Sequence, residues 1–166
     1  GPHHRLDETA VRAFVREQFD GLDLDGRSLC QVIPDANRAC PLPMLLGAID
    51  EAVTGRVRSC TAVVALGTHA PMGEAARRAL VGVDGLEGVN HEWWDDATFA
   101  AVGTLDAETV HRLSDGRLDE AVAVRVNRLV VESDVTVIVG PVLPHEVVGF
   151  SGGEKYLFPG LSGQEL

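Results

Sequence analysis

The chain has 166 residues and a formal net charge of −11, from 14 Lys and Arg against 25 Asp and Glu. Hydrophobic residues make up 45% and charged residues 23%, which is typical of one folded domain and excludes a disordered chain. The acidic balance argues against nucleic acid and anionic membrane as partners. There is no apolar run of about 20 residues and no leader pattern, so we expect a cytoplasmic protein.

The first half of the chain alternates helical spacing of apolar residues with short β-branched runs. This pattern predicts, in order, a helix over 6–19, a strand over 29–33, a helix over 44–53, a strand over 61–66 and a helix over 74–81. Residues 1–4 resemble a cleaved expression tag, so the domain is expected to run from 5 to 166. The three cysteines, Cys30, Cys40 and Cys60, form no C-x-x-C pair and are expected to be reduced thiols in or near the core.

The second half is less regular, and residues 84–96 are rich in glycine and acid. Trp93 and Trp94 in this stretch are expected to be partly buried in the core. The pattern beyond it predicts a strand over 100–104, a half-buried strand within 121–131 and a central strand over 135–139. The whole alternation predicts a single α/β domain with a largely parallel sheet flanked by helices.

Polar loops at 35–38, 67–69 and 141–155 each follow a predicted buried strand. In open α/β sheets, ligands bind beyond the carboxyl ends of the strands. If the three strands lie side by side, these loops converge on one crevice.

The third loop contains the glycine-rich stretch 149–155, which ends in Lys155. Its glycines let backbone N–H groups approach an anion, which favours a phosphate-bearing ligand. It is not a P-loop, because Glu154 precedes the lysine and Tyr156 follows it, and a triphosphate hydrolase is therefore disfavoured. The alternative is a flexible surface turn with a solvated lysine.

The remaining candidate residues are two histidines and an Asp/Arg pair. His69 and His145 each lie just past a predicted strand, and two imidazoles on opposite sides of one carbon are what a racemase requires. Arg38 can bind a carboxylate with two parallel hydrogen bonds, and Asp35 can orient a histidine. The alternatives are structural histidines and a simple Asx-type turn with an exposed arginine. The stretch 91–95 lacks the second histidine of the zinc motif H-E-x-x-H, so no metal ligand is assigned.

Several of these stretches occur together, in order, in one known family: P-D-A-N-R at 34–38, G-T-H-A-P-M at 67–72, V-N-R-L at 126–129, P-H at 144–145, G-F-S-G-G-E-K at 149–155 and F-P-G at 158–160. With them the chain resembles the N-terminal domain of nickel-dependent lactate racemases over nearly its whole length. The resemblance implies racemisation or epimerisation of a lactate-like 2-hydroxy acid by reversible hydride transfer to a nickel pincer nucleotide.

The resemblance also implies a role for each matching residue. His69 and His145 would be the two acid/base groups, and Asp35 and Arg38 would line the substrate site. Lys155 would hold the cofactor covalently, and the residues near its phosphate would be Thr68, Ser151, Gly152 and Gly153.

Two features of that family have no counterpart in the sequence. No histidine follows His145, whereas the family has a nickel-binding histidine beyond the glycine loop, and the family's C-terminal domain is absent. We therefore expect this chain to be the cofactor-binding half of the enzyme. The alternative is a non-catalytic nucleotide-phosphate-binding or interaction domain on the same scaffold.

Overall fold

The computed structural model describes residues 6–146 and 149–165, and the predicted tag remnant at 1–4 lies outside them. The α-helices are α1 (Glu8–Asp20), α2 (Leu42–Val53), α3 (Glu74–Val81), α4 (Ala107–Leu113) and α5 (Arg128–Glu132). The strands are β1 (Ser28–Ile33), β2 (Ser59–Val64), β3 (Glu87–Asn90), β4 (Phe99–Leu105), β5 (Val122–Asn127), β6 (Val135–Ile138), β7 (Leu143–His145) and β8 (Gly149–Ser151). Short 3₁₀ helices span Asp96–Thr98 and Gly153–Tyr156.

A parallel sheet with strand order β3-β2-β1-β6 organises the domain. Val32 of β1 is level with Val63 of β2 on one side and with Ile138 of β6 on the other. The carboxyl ends of β2, β1 and β6 are therefore adjacent, as the convergence of the three polar loops requires. The predicted α/β class and largely parallel sheet are confirmed; β4–β5 and β7–β8 form separate antiparallel pairs.

Apolar side chains cover both faces of the sheet. One face, with Leu29 and Ile33, packs against α1 and α2. The other face, with Val32 and Val63, packs against the segment that carries Tyr156 and Leu161. Full burial of one such aliphatic side chain contributes roughly 1.5–3 kcal/mol, so this packing fixes the sheet and the loops at its edge. All three cysteines are unpaired and buried or half-buried, which confirms the expectation for them.

The prediction of a central strand at 135–139 is wrong, because within the described residues β6 pairs only with β1. Its apolar run has another cause: Val137 packs on one face of the sheet and Ile138 on the other, so both faces of an outer strand are covered. The predicted strand within 121–131 ends at Asn127, whose side chain caps α5 by accepting from the Leu129 N–H at 3.0 Å.

The irregular stretch 84–96 contains the unpredicted strand β3. The expectation that Trp93 and Trp94 are partly core is also wrong, since their exposed fractions are 37% and 50%. Both indoles lie on the surface, where their rings meet edge to face. No helix in the part of the chain that the structure describes is long and apolar enough to cross a membrane.

Candidate active site

A pocket of about 240 Å³ lies at the carboxyl ends of β1 and β2. Three stretches of chain form it: the loop after β1, the loop after β2 and the segment that follows β8. Among the residues that line it are these predicted site residues: Asp35, Arg38, Thr68, His69, Ser151, Gly152 and Lys155. The predicted convergence of polar loops therefore occurs.

The centre of the pocket wall is a hydrogen-bonded pair formed by Asp35 and His69. Asp35 Oδ2 and His69 Nδ1 are 2.8 Å apart. The carboxylate is 7% exposed and also accepts from the backbone and side-chain N–H groups of Asn37 at 3.1 and 3.0 Å. Asp35 thus forms the Asx-type turn considered above and holds His69 as well.

Local sequence explains how these two residues meet. Pro34 follows the last residue of β1, so Asp35 begins a turn at the edge of the sheet. Gly67 follows the end of β2 with a φ of +57°, and the His69 N–H donates to the Leu66 carbonyl oxygen at 2.9 Å. Since β1 and β2 are parallel neighbours, the two turns leave the sheet at the same edge.

The environment of Asp35 favours its ionised form. Burial alone would raise the pKa of this carboxyl, but the hydrogen bonds from His69 and Asn37 outweigh burial and hold the pKa below its ordinary value. A carboxylate that accepts from Nδ1 fixes the imidazole tautomer and leaves Nε2 as the basic nitrogen. The pair is therefore suited to proton transfer at Nε2.

Two cationic side chains, those of Arg38 and Lys155, line the same pocket. Among the described residues, neither forms a side-chain hydrogen bond or an ion pair, whereas Arg12, Arg56 and Arg125 are all held by carboxylates. Unpaired guanidinium and ammonium groups in a pocket of an acidic protein provide a local site for an anion.

The glycine-rich stretch forms a tight connection under Lys155. Gly152 has a φ of +88°, and a Cβ at this position would lie 2.0 Å from the Pro141 carbonyl oxygen, so only glycine fits. Gly153 has a φ of +56° with open space around its Cα, and it does not line the pocket. Ser151 is buried, and its hydroxyl lies 3.4 Å from the Leu143 carbonyl oxygen.

His145, the second predicted acid/base residue, is not among the residues that line the pocket. It ends β7 opposite Gly149 of β8, and its Nδ1 lies 3.9 Å from Glu146 Oε2. Of the predicted acid/base, substrate and cofactor residues, four line the pocket together: Asp35, Arg38, His69 and Lys155. His145 does not line it. No group of three potential metal ligands occurs in the described ranges.

Two residues that sequence reasoning did not assign to the site contact it. Trp93 Nε1 donates to the His69 carbonyl oxygen at 3.1 Å and so ties the His69 loop to the turn after β3. Tyr156 lines the pocket and is 9% exposed. The position of Tyr156 directly after Lys155 is a signal that could have found it; no sequence signal identifies Trp93.

The fold and the pocket define an α/β domain that carries a pocket at the carboxyl ends of its strands, lined by a histidine–carboxylate pair and two cationic side chains. The sequence model described as "Lactate racemase N-terminal domain" matches residues 8–166, and the chain belongs to this family.

Similar proteins agree with this assignment. A lactate racemase from Thermoanaerobacterium thermosaccharolyticum is 28% identical over 143 residues, which are 82% of this chain and 30% of that protein. The crystal structure of a Thermotoga maritima protein superposes with a TM-score of 0.86 at 25% identity, over 96% of this chain and 39% of that one. The lactate racemase apoprotein from T. thermosaccharolyticum gives 0.73 at 22% identity, over 96% and 38%, and shows the shared fold. The chain thus spans about a third of the length of these relatives.

Proposed function

We propose that this chain is the cofactor-binding half of an isomerase that racemises or epimerises a lactate-like 2-hydroxy acid. Membership of the lactate racemase N-terminal domain family supports a racemase-related function. The observation that carries the proposal is the Asp35–His69 pair, at 2.8 Å, in a pocket that it shares with the unpaired Arg38.

In this proposal His69 is the base that removes the proton of the substrate hydroxyl. Asp35 accepts the Nδ1–H and stabilises the imidazolium that forms when Nε2 takes the proton. Arg38 binds the substrate carboxylate through its two parallel N–H groups and so places the hydroxyl near His69.

His145 is proposed as the acid/base group for the opposite face of the substrate carbon. Its strand β7 pairs with β8, whose last residue, Ser151, lines the pocket. In this scheme, His145 would face the side of the substrate carbon opposite His69. This arrangement is a prediction for the ligand-bound protein.

The family's cofactor, the nickel pincer nucleotide, fits the residues around Lys155. Lys155 lines the pocket without a side-chain partner among the described residues, together with Thr68 and Ser151. Lys155 would hold the nucleotide covalently, with Thr68, Ser151, Gly152 and Gly153 near its phosphate. When bound, the nucleotide would supply the acceptor for the carbon-bound hydride, which no protein side chain provides.

The proposal is tested by racemisation of L-lactate with the full-length protein, co-expressed with the cofactor-making enzymes and supplied with nickel. His69→Ala and His145→Ala should each lower the rate by a factor on the order of 10²–10⁴. His111→Ala is the matched control, because His111 also bonds a carboxylate, Asp119, but lies on exposed helix α4. Wild-type rates in either site variant would contradict the two-histidine scheme.

The position of His145 outside the pocket favours a second candidate, a non-catalytic domain that binds a nucleotide phosphate. Intact mass spectrometry together with an assay of lactate turnover separates the two functions. A nucleotide-sized mass increment that is lost in Lys155→Ala, together with lactate turnover, supports the racemase. The same increment without any turnover supports the binding domain.

A further inference from the structure

Tyr156 is the one tyrosine of the chain, and it forms part of the pocket wall. Its ring packs with the apolar cluster on one face of the sheet, which includes Val32, Val63 and Leu161. The side chain is therefore anchored by the core while one part of it faces the ligand site.

The position of the phenol is fixed by its contact with Gly140, which follows β6. A Cβ at residue 140 would lie 2.8 Å from the Tyr156 hydroxyl oxygen and 2.8 Å from ring carbon Cε2. The ring thus occupies the space that a side chain at 140 would need, and it reaches the carboxyl end of β6. This is the same edge of the sheet from which the loops of Asp35 and Arg38 leave.

The hydroxyl of Tyr156 lacks a hydrogen-bond partner among the residues that the structure describes. Tyr156 is 9% exposed and lines the pocket, so this hydroxyl can donate to a molecule bound there. Burial raises the pKa of this phenol, although the nearby positive charge of Arg38 acts in the opposite direction. The phenol is therefore a protonated donor at neutral pH, and it lines the same pocket as Arg38, whose guanidinium has no partner among the described residues.

We propose that the Tyr156 hydroxyl donates a hydrogen bond to the same carboxylate that Arg38 binds, which makes Tyr156 a substrate-binding residue for a small 2-hydroxy acid. This inference rests on the proposed function. The guanidinium supplies the charge, and the phenol, held rigidly by Gly140 and the core, fixes the orientation of the carboxylate. A neutral amide of the same size still accepts hydrogen bonds from both groups, but it lacks the negative charge and therefore gains less from them.

Because the chain has a single tyrosine, labelling with [¹³Cζ]tyrosine gives one resonance that reports directly on this hydroxyl. The 166-residue chain is titrated with L-lactate and, separately, with lactamide, its neutral analogue. Histidine ¹⁵N signals report whether the ligand reaches His69. We expect the tyrosine resonance to shift saturably with lactate, at lower concentration than with lactamide, and the lactate shift to disappear in Arg38→Gln.

Variants measure the contribution of the hydroxyl to affinity. Tyr156→Phe keeps the ring and should weaken lactate binding about tenfold, the usual effect of losing a hydrogen bond to a charged group, and should weaken lactamide binding less. Gly140→Ala keeps the hydroxyl but displaces it, and should weaken lactate binding as well. Gly103→Ala is the control, since a Cβ there meets nothing within 4 Å.

The outcomes separate this inference from the proposed function. If lactate moves the His69 signals but neither shifts the tyrosine resonance nor loses affinity in Tyr156→Phe, the inference is wrong and the proposed function is untouched. If the tyrosine responds as expected but the cofactor-loaded full-length protein does not racemise lactate, the inference holds and the proposed function fails. Absence of lactate binding overturns the inference. If Tyr156→Phe does not fold, the tyrosine resonance of the wild type and of Arg38→Gln still tests whether the hydroxyl responds to lactate.

Discussion

Replacing Asp35 by Asn tests whether a carboxylate fixes the state of His69. The variant keeps the size of the side chain, and its amide oxygen can still accept from the Asn37 N–H, which lies 3.1 Å away in the native protein. What it removes is the negative charge 2.8 Å from His69 Nδ1. We expect His69 to lose its strong preference for the tautomer protonated at Nδ1.

The cost in stability follows from the geometry of the pair. A hydrogen bond to a charged group contributes roughly 1.5–3 kcal/mol. The His69 side chain is 62% exposed, so solvent screening places this bond at the lower end, about 1.5 kcal/mol. For a domain of this size such a loss lowers Tm by about 3–6 °C.

The effect of Asp35→Asn should depend on pH in a defined direction. Burial opposes ionisation of Asp35, but the hydrogen bonds from His69 and Asn37 stabilise the carboxylate more strongly, so the pKa of Asp35 is lowered in the folded state. The stabilisation is therefore complete above the unfolded value of about 3.9 and is lost as the pH falls through the lower folded value. The Tm difference between wild type and variant should be constant near neutral pH and should vanish in acid.

Thermal unfolding from about pH 3 to about pH 8 and ¹⁵N spectra of labelled histidines measure both effects. Asp119→Asn is the matched control, because Asp119 bonds Nδ1 of the exposed His111 and is itself largely exposed. It should change Tm little. An unchanged His69 tautomer and an unchanged Tm in Asp35→Asn would refute the reasoning.

Three further predictions concern the scaffold. Gly152→Ala should lower the free energy of unfolding by at least about 3 kcal/mol in denaturant unfolding, because backbone strain and a steric clash both act against the alanine. Gly149→Ala is the control: its φ is +82° but the space around it is open, so it should cost only about 1–2 kcal/mol, and equal losses in the two variants would contradict the clash. Burial raises the pKa of the Cys30 thiol to about 12. An aromatic disulfide reagent at about pH 8 should therefore modify Cys40 first and Cys30 only when the protein unfolds. Rapid labelling of Cys30 in the native protein would disprove its burial. Asp7→Ala removes the N-cap of α1 and should cost about 1 kcal/mol in the same unfolding assay, and no loss would argue against the cap.

The parallel core could be predicted from the sequence because hydrophobic patterning decides it. The runs that form β1 and β2 are apolar and end at Pro34 and Gly67, so local composition marks both the strand and its end. Strand β3 could not be predicted in this way. It is only four residues long, and it contains Gly88. A Cβ at Gly88 would lie 2.8 Å from a methyl group of Val81, so the glycine is explained by close packing against α3 and not by strand propensity.

The site was predictable in its residues but not in all of its geometry. Asp35 and His69 come into contact because the strands that precede them, β1 and β2, are neighbours in the sheet. The order of parallel strands is a property of the whole fold, so this contact has no local sequence signal. His145 depends on the β7–β8 hairpin, whose position relative to the sheet has no local sequence signal. The role of Tyr156 in the pocket wall likewise depends on its packing against Gly140 beyond the end of β6, which no local sequence pattern signals.

The pairing of β1 with β6 has a consequence for the order in which the domain folds. The Ser28 N–H donates to Asp134 Oδ2 across 106 residues, whereas Asp35 and His69 are separated by only 34. Closing the shorter loop costs less chain entropy, so the β1–α2–β2 unit can form before β6 docks. A nascent chain would therefore assemble the histidine–carboxylate side of the pocket first and gain the lysine side only after Lys155 has left the ribosome.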